Sequence, residues 1–423
     1  MNQKWRSSAN FELQFGWRLH ILLFISAFSI IVLRRPDAIL NPQFWAEDGA
    51  LWYANAYNDG IRSVLIPQNG YLQTISRIVA AIAQFLPFEW APFIFNGVAI
   101  FIQILPVIFL LSSRFSALIP NRYNRIFLSI LYLALPNSWE IHANLTNAQW
   151  HLALLAFMVI VAKPDNRPVW RCFDTGVVLL SGLSGPFSIL LVPIAAIRIW
   201  LDRERWLIVL FLLVSASALV QTLCLLLAWQ TRSQMFLGAT PELLVRILSG
   251  QVFLGALIGQ GGYSWLVSSS EWRFIPALFI ALIGLTVMIY ALLKGPVELR
   301  FFIIFALLIF STALISPQAS ATNPQWQVLT LPGVGGRYWF IPMLAFVSVL
   351  IWMLRKSSSP KLRLLAMMAL AVMLIGIIMD WQQPPYVDLN FKEHAHRFEG
   401  SPIGTEIVIP INPSGWYMSL TKN

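Results

Sequence analysis

Two adjacent carboxylates, Glu47 and Asp48, lie in the segment NPQFWAEDGALWYANAYNDG, a few residues after the first long apolar run of the chain. The whole chain has only 19 acidic residues, so an adjacent pair at this position invites a chemical explanation. A carboxylate in a partly dry pocket can act as a general base that takes a proton from an attacking hydroxyl. We expect Asp48 to be this base, with Glu47 as the second candidate. The alternative is that Asp48 only caps the helix that follows.

A second group of polar side chains lies in NSWEIHANLTNAQW, residues 137–150. Amides and an indole ring suit a sugar, which takes hydrogen bonds at its edges and stacks on aromatic faces. The residues that we expect to bind an acceptor or a sugar are Glu140, His142, Asn144, Asn147, Gln149 and Trp150. The alternative is a polar loop that satisfies its own backbone. A divalent metal held by Glu140 and Asp48 is a further possibility, so the metal content stays open.

Two arginines are candidates for binding a phosphate group. A phosphate leaving group needs positive charge near its oxygens rather than a general acid. Arg337, in LPGVGGRYWFIP, is the first candidate because a guanidinium binds phosphate oxygens in a bidentate manner. Its alternative is an interfacial anchor beside Tyr338 and Trp339. Arg77 is the second candidate, with a snorkelling side chain as the alternative.

The composition is that of an all-α polytopic membrane protein. Hydrophobic residues make up 57% of the 423 residues and charged residues only 11%, against roughly 25% charged residues in soluble domains. The net charge of +10 is explained by basic cytoplasmic loops, and no nucleic-acid-binding module is visible. The two cysteines, Cys172 and Cys224, fall at or within apolar segments and predict no structural disulfide.

About eleven transmembrane helices are predicted, since a bilayer core needs roughly 20 apolar residues as helix. The clear candidates are 18–34, 92–112, 207–229, 274–293, 300–316, 339–354 and 363–380, and the weaker ones are 126–137, 149–162, 172–182 and 187–200. Lys4 and Arg6 precede the first, which we interpret as uncleaved. The proposed cytoplasmic segments hold 18 of the 29 Lys and Arg residues, which predicts a cytoplasmic N-terminus. Arg34 and Arg35 are exceptions to this distribution.

The loops expected on the extracytoplasmic side contain most of the candidate residues. The first long loop, 35–91, is predicted to hold a short helix from Asp48 to Gly60 and an amphipathic helix over 71–87. The second loop, 137–149, is expected to dip below the membrane surface and to help form a cavity. We divide the chain into a transmembrane domain, 1–380, and a small extracytoplasmic tail, 381–423, that folds back over the cavity. Residues 230–273 are predicted to be a long loop that forms another wall.

A first helix followed by a loop that opens with an acidic pair resembles the GT-C superfamily of glycosyltransferases. This superfamily includes the protein O-mannosyltransferases and the aminoarabinose transferases. The resemblance covers the topology of residues 1–160 and places the acidic motif of the family on Glu47 and Asp48, with a second acidic position at Glu140. It implies a polyprenyl-phosphate-linked sugar as donor and a glycan or lipid-linked acceptor. Unlike the oligosaccharyltransferases, the 423 residues contain no WWD-type motif, and we expect no large soluble C-terminal domain.

The predicted function is therefore an inverting glycosyltransferase of the bacterial inner (plasma) membrane with an extracytoplasmic active site. An O-antigen polymerase or ligase is one alternative, although such enzymes usually concentrate their functional loop late in the chain. A secondary transporter is a more distant alternative. Transporters tend to show internal repeats and charged residues within spans, whereas no repeat is found here and most of the predicted span interiors contain no charge.

Overall fold

The computed structural model describes residues 17–228, 230, 232–233, 235–269, 271–356 and 358–423, so the predictions on Lys4 and Arg6 lie outside the described residues. About 70% of the chain is helical, which confirms the prediction of a mainly α-helical membrane protein. The helices are α1 Trp17–Arg34, α2 Asp37–Leu40, α3 Ala54–Asp59, α4 Thr74–Ala83, α5 Ala91–Leu111, α6 Ser113–Ser116, α7 Arg122–Leu133, α8 Ala148–Val161, α9 Pro168–Gly182, α10 Phe187–Asp202, α11 Arg205–Leu227, α12 Pro241–Ile247, α13 Gly255–Ser268, α14 Phe274–Lys294, α15 Val297–Ile315, α16 Gln325–Leu329, α17 Gly336–Met353, α18 Pro360–Met379 and α19 Phe391–Glu399. The strands are β1 Glu406–Ile411 and β2 Trp416–Thr421.

Seven helical segments among the described residues are long and apolar enough to cross a membrane. They are Phe88–Leu111, Arg205–Leu227, Pro241–Ser268, Phe274–Lys294, Val297–Ile315, Gly336–Met353 and Pro360–Met379. Six of them match clear predictions, whereas the predicted count of eleven is not confirmed. The weaker predictions form α7, α8, α9 and α10, which have 12 to 16 residues each. Such helices are about 18–24 Å long, shorter than the roughly 30 Å bilayer core.

The prediction of a long loop over 230–273 is wrong, because Pro241–Ser268 is helical. A π-helical turn, Leu248–Leu254, joins α12 to α13, and the helix breaks at Gly259, where φ is 70°. Beyond this break the chain folds back, so that the Tyr263 ring packs directly against Gly250. The two ends of this folded segment are also in contact, because Nη1 of Arg246 in α12 donates to the carbonyl oxygen of Trp272 after α13 at 3.2 Å. Contacts between residues so far apart in sequence exclude one straight rod.

Arg34 and Arg35 join the end of α1 to several other parts of the chain. Both side chains are at most 2% exposed. The guanidinium of Arg34 donates to backbone carbonyls that follow α7 and α18, among them those of Leu135 and Asp380. The guanidinium of Arg35 donates to the carbonyl of His142 at 2.7 Å. These contacts account for the two arginines that depart from the predicted distribution of Lys and Arg. Both side chains connect the end of α1 to segments that are distant in sequence.

The first long loop contains the two helical segments that were predicted. A π-helical turn, Asp48–Tyr53, continues as α3 and is followed by Gly60, so this helix begins and ends as expected. The amphipathic segment forms α4, which is shorter than the predicted 71–87. The side chains of α4 that point inward include Val79 and Ala80, both at most 5% exposed. The loop is therefore an ordered, packed part of the molecule.

The chain after α18 packs onto the first long loop, as predicted for the tail. Strands β1 and β2 form an antiparallel hairpin in which Ile409 pairs with Met418, and both side chains are fully buried. These side chains join the apolar cluster that includes Phe44 of the first long loop. The backbone N–H of Asn412 also donates to the carbonyl of Phe44 at 3.1 Å. The hairpin thus covers the segment that carries the acidic pair.

Candidate functional site

A cavity of about 500 Å³ lies at the loop end of the helical bundle, meaning the end that carries residues 35–91. One wall is polar and aromatic and comes from the two loops and from the start of α17. The opposite wall is apolar and comes from α10, α11 and α15. The residues that line the cavity include Trp45, Ala46, Glu47, Tyr71, Gln73, Glu140, Thr146, Asn147, Gln149, Trp150, Leu190, Leu225, Arg232, Ile309, Ala313, Arg337, Pro413 and Trp416. A cavity with these two walls fits a molecule that has a polar head and an apolar tail.

The two members of the acidic pair have different surroundings. Glu47 lines the cavity, and Ala46 before it has a φ of 43°, a sparsely populated backbone conformation that turns the chain at this point. Asp48 is fully buried and does not line the cavity. Its carboxyl oxygens accept hydrogen bonds from the backbone N–H groups of Leu145 at 3.1 Å and Thr146 at 2.7 Å. Of the two carboxyl groups, therefore, only that of Glu47 belongs to the cavity wall, whereas that of Asp48 joins the two loops.

Burial also affects the proton affinity of the two carboxyl groups. It raises the pKa of Glu47 above its usual value, while its own backbone N–H and the Arg337 guanidinium oppose the rise. It raises the pKa of Asp48 to about 8, although the hydrogen bonds from Thr146 and Leu145 act in the opposite direction. A raised pKa means that the carboxylate form of Glu47 binds a proton more strongly than an exposed carboxylate does, a property that suits a general base.

Arg337 and Glu140 form an ion pair in the wall of the cavity. The Glu140 carboxylate also accepts the backbone N–H of Arg337 at 3.0 Å, so it binds the first turn of α17 twice. Another nitrogen of the Arg337 guanidinium donates to the carbonyl of Gln318 at 2.9 Å. The Arg337 side chain is still 27% exposed, against 11% for Glu140. The guanidinium is thus held in place and can reach a ligand in the cavity.

Arg232 is a second cation in the cavity that the sequence analysis did not select. Its guanidinium donates to the carbonyl oxygens of Asn69 at 2.8 Å and Ser316 at 2.9 Å. It lies in a segment between candidate spans that contains no motif, so only a count of arginines in the loops expected on the extracytoplasmic side would have pointed to it. Tyr71 is also in the cavity wall, and burial raises the pKa of its phenol above the usual value.

Four of the six predicted acceptor residues line the cavity: Glu140, Asn147, Gln149 and Trp150. The other two do not. The ring of His142 lies between Gln103 and the carbonyl of Ile31, at 3.3 and 3.0 Å, and is fully buried. The amide of Asn144 donates to the carbonyl of Glu140 at 2.7 Å, as expected for a loop that satisfies its own backbone.

Arg77 lies behind the cavity wall rather than in it. Its side chain is 1% exposed, and its guanidinium stacks on the ring of Trp52 at 4.9 Å. None of its three guanidinium nitrogens has a hydrogen-bond partner among the described residues. Trp52 in turn donates to the hydroxyl of Thr146 at 2.7 Å. The arginine that was predicted to snorkel or to bind phosphate is therefore packed inside the first long loop.

Within the described part of the chain, no group of three or more His, Cys, Asp or Glu side chains is arranged to hold a metal ion. The carboxylate of Glu140 forms an ion pair with Arg337, and the carboxyl group of Asp48 accepts hydrogen bonds from two backbone N–H groups. No family model matches the chain, and no curated protein matches it. The geometry of the cavity therefore carries the functional argument.

Proposed function

We propose that this membrane protein is an inverting glycosyltransferase that moves a sugar from a polyprenyl-phosphate carrier to an acceptor hydroxyl. The observation that carries the proposal is the composition of one cavity. A carboxylate, Glu47, two guanidinium groups, Arg337 and Arg232, and an apolar wall of membrane helices meet there. A lipid-linked phosphosugar needs all three features, and a water-soluble substrate would not need the apolar wall.

The polyprenyl chain is assigned to the apolar wall. Leu190 of α10, Leu225 of α11 and both Ile309 and Ala313 of α15 line this side of the cavity. Ile315, at the end of α15, lines it too and is 70% exposed, so the wall continues onto the outside of the bundle. A long apolar chain can therefore remain in the lipid while its phosphate enters the cavity.

The reaction is a single displacement at the anomeric carbon. The acceptor oxygen attacks this carbon from the side opposite the phosphate, and its proton passes to the carboxylate of Glu47. The bond between the anomeric carbon and the phosphate oxygen breaks, and polyprenyl phosphate leaves with the electron pair. Arg337 stabilises the negative charge that develops on the leaving oxygens, which requires no general acid.

The orientation that suits this reaction has the loop end on the extracytoplasmic side of a bacterial plasma membrane and the N-terminus in the cytoplasm. The distribution of Lys and Arg in the sequence supports this orientation. The tail and the two loops then enclose the site from the side where glycan or lipid-linked acceptors are found.

The proposal is tested with purified protein, radiolabelled polyprenyl-phosphate sugars and extracted envelope acceptors. We expect Glu47→Gln to lower turnover at least a hundredfold without lowering donor binding, since general base catalysis typically contributes about 10²–10⁴-fold. Arg337→Ala should weaken both donor binding and turnover. Glu89→Gln, which changes a half-buried carboxyl group, and Arg62→Ala, which changes an exposed guanidinium, both lie outside the lining of the cavity and serve as matched controls.

Two outcomes would contradict the proposal. Wild-type turnover in Glu47→Gln would remove the base from the mechanism. Donor binding without turnover on any acceptor would instead favour a lipid-sugar carrier, and polymerisation of an oligosaccharide-linked donor would favour the polymerase class.

A further inference from the structure

A second cavity, of about 330 Å³, lies at the end of the helical bundle opposite the loop end. Helices α8, α15 and α17 line both cavities, each with a different part of its length. In α17, Arg337 lines the first cavity and Ile351 lines the second. These two residues are about 21 Å apart along the helix, at 1.5 Å per residue, so the second cavity is separate from the candidate site.

The interior of the second cavity is apolar. Its walls include Leu110 of α5, Phe157 of α8 and Phe302 of α15. The hydroxyl of Tyr132, which also lines it, already donates to the carbonyl of Gln103 at 2.8 Å. Because protein interiors are closely packed, an apolar space of this size between membrane helices suits a hydrocarbon chain.

The second cavity opens between the start of α7 and the start of α15. Asn121, directly before α7, and Pro296, directly before α15, both line the cavity and are exposed. Beside this opening, Ile126 and Ile130 on the outer side of α7 are 38% and 47% exposed. Such side chains face lipid in a membrane protein, so the hydrocarbon of the bilayer has access to the opening.

Two side chains of opposite charge line the same cavity, Glu298 and Arg355. Glu298 lies in the first turn of α15, and Arg355 follows the end of α17. Both are half-buried, and neither forms an ion pair with another described residue. The Arg355 guanidinium lies over the ring of Trp352 at 3.9 Å, and its Nε donates to the hydroxyl of Ser358 at 3.4 Å. A partly buried charge without an ionic partner is costly, so a ligand that carries both charges would stabilise the two side chains.

Glu298 and Arg355 lie at similar heights in the bundle. Phe310 near the end of α15 packs against Trp339 near the start of α17, with ring centroids 5.7 Å apart, so the two helices run antiparallel. From this contact, Glu298 is about 18 Å away along α15 and Arg355 about 24 Å away along α17. The two charges therefore come from neighbouring helices at heights that differ by about 6 Å, a distance that one phospholipid headgroup can span.

We propose that the second cavity binds a phospholipid of the surrounding bilayer whose headgroup carries a primary ammonium group, as in phosphatidylethanolamine. One acyl chain occupies the apolar interior, the phosphate binds Arg355, and the ammonium group donates hydrogen bonds to Glu298. A phosphatidylglycerol headgroup leaves Glu298 unpaired beside a phosphate, and a choline headgroup has no N–H to donate. The site is independent of the proposed reaction and lies in the opposite half of the membrane.

The test measures phospholipid binding to the delipidated, detergent-purified full chain by native mass spectrometry. Dioleoyl phosphatidylethanolamine, phosphatidylglycerol and phosphatidylcholine are compared, so that only the headgroup differs. We expect the ethanolamine lipid to bind about tenfold more tightly than the other two, the effect of one charge-assisted hydrogen bond. Glu298→Gln should abolish this preference, and Arg355→Met should weaken the binding of all three lipids. Glu204→Gln and Lys361→Met change exposed charges outside the cavity lining, serve as matched controls, and should bind as the wild type does.

N-acetylated phosphatidylethanolamine supplies a second measurement that remains informative if a variant does not fold. It keeps both chains and the phosphate but has no ammonium group, so the wild-type protein should bind it about tenfold more weakly. Equal binding of all headgroups by the wild type would overturn the proposal, as would an unchanged preference in Glu298→Gln or unchanged affinities in Arg355→Met. Glu47→Gln should keep the full preference, because its carboxylate belongs to the other cavity.

Discussion

Replacing Asp48 separates a structural carboxylate from a catalytic one. In Asp48→Ala, the backbone N–H groups of Leu145 and Thr146 lose their acceptor inside the protein. Each buried N–H left unsatisfied costs about 1–3 kcal/mol, so the variant should lose roughly 2–6 kcal/mol of unfolding free energy. Asp48→Asn keeps one acceptor oxygen and places an amide NH₂ against the other N–H, so its loss should be about half as large.

The measurement is thermal unfolding in detergent, followed by tryptophan fluorescence, together with the turnover assay on the same samples. We expect Asp48→Ala to unfold several degrees below the wild type and Asp48→Asn to lie between them. Glu47→Gln is the matched control, because it changes a carboxylate that lines the cavity and should unfold as the wild type does. A wild-type unfolding temperature for Asp48→Ala would refute the reasoning. A stable but inactive Asp48→Asn would return the base to Asp48.

Three other predictions concern Asp48, Arg34 and Asp380. Burial raises the pKa of Asp48 to about 8, above its value of about 4 in an unfolded chain, so its contribution to stability should be lost as the pH rises from about 4 to 8; Asp48→Asn should flatten the profile of unfolding temperature over that range. Arg34→Met leaves several backbone carbonyls without a donor and should cost about 3 kcal/mol or more in thermal unfolding, whereas Met at the exposed Arg122 should cost little. Asp380→Asn weakens the acceptor for the backbone N–H groups that follow the break at Gly259, and hydrogen exchange over 255–262 should become faster.

The sequence predicted those parts of the fold that depend on local pattern. Apolar runs of about 20 residues identified six of the seven candidate spans, since length and hydropathy are properties of a single segment. The helix from Asp48 to Gly60 was equally readable, because a charged start and a glycine stop are local signals. The amphipathic pattern predicted the position of α4 but not its length. The predicted segment runs from 71 to Pro87, whereas the helix begins after Gln73 and ends at Ala83.

The errors concern segments that are stabilised by partners distant in sequence. Residues 241–268 contain several glycines and two glutamines, Gln251 and Gln260, and therefore resembled a loop. In the fold, the amide of Gln251 donates to the carbonyls of Leu329 and Leu331, both at 2.7 Å, so its polarity is satisfied inside the bundle. No local pattern in the sequence reports such a contact. Hydropathy also leaves the number of spans open, since α8 is apolar but has only 14 residues, all of them buried.

The sequence analysis selected several residues that line the cavity, but it could not distinguish the surroundings of adjacent residues such as Glu47 and Asp48. Glu47, Glu140 and Arg337 were selected from three separate segments, and the structure brings them to one cavity. The choice between Glu47 and Asp48 could not be made from sequence, because adjacent residues of the same charge differ only in what surrounds them. Gln73 was missed because a single glutamine before a helix carries no pattern.

The hairpin that covers the acidic pair has a consequence for the biogenesis of the protein. Pro413 and Trp416 form part of the cavity, and they follow every candidate span in the chain. A ribosome therefore delivers the first long loop to the membrane hundreds of residues before the roof of its pocket is synthesised. Until then the part of the wall that carries Glu47 is uncovered, and a nascent chain has no complete pocket for the lipid-linked sugar that we propose as its substrate. Assembly of a competent site is thereby postponed until the membrane helices are in place.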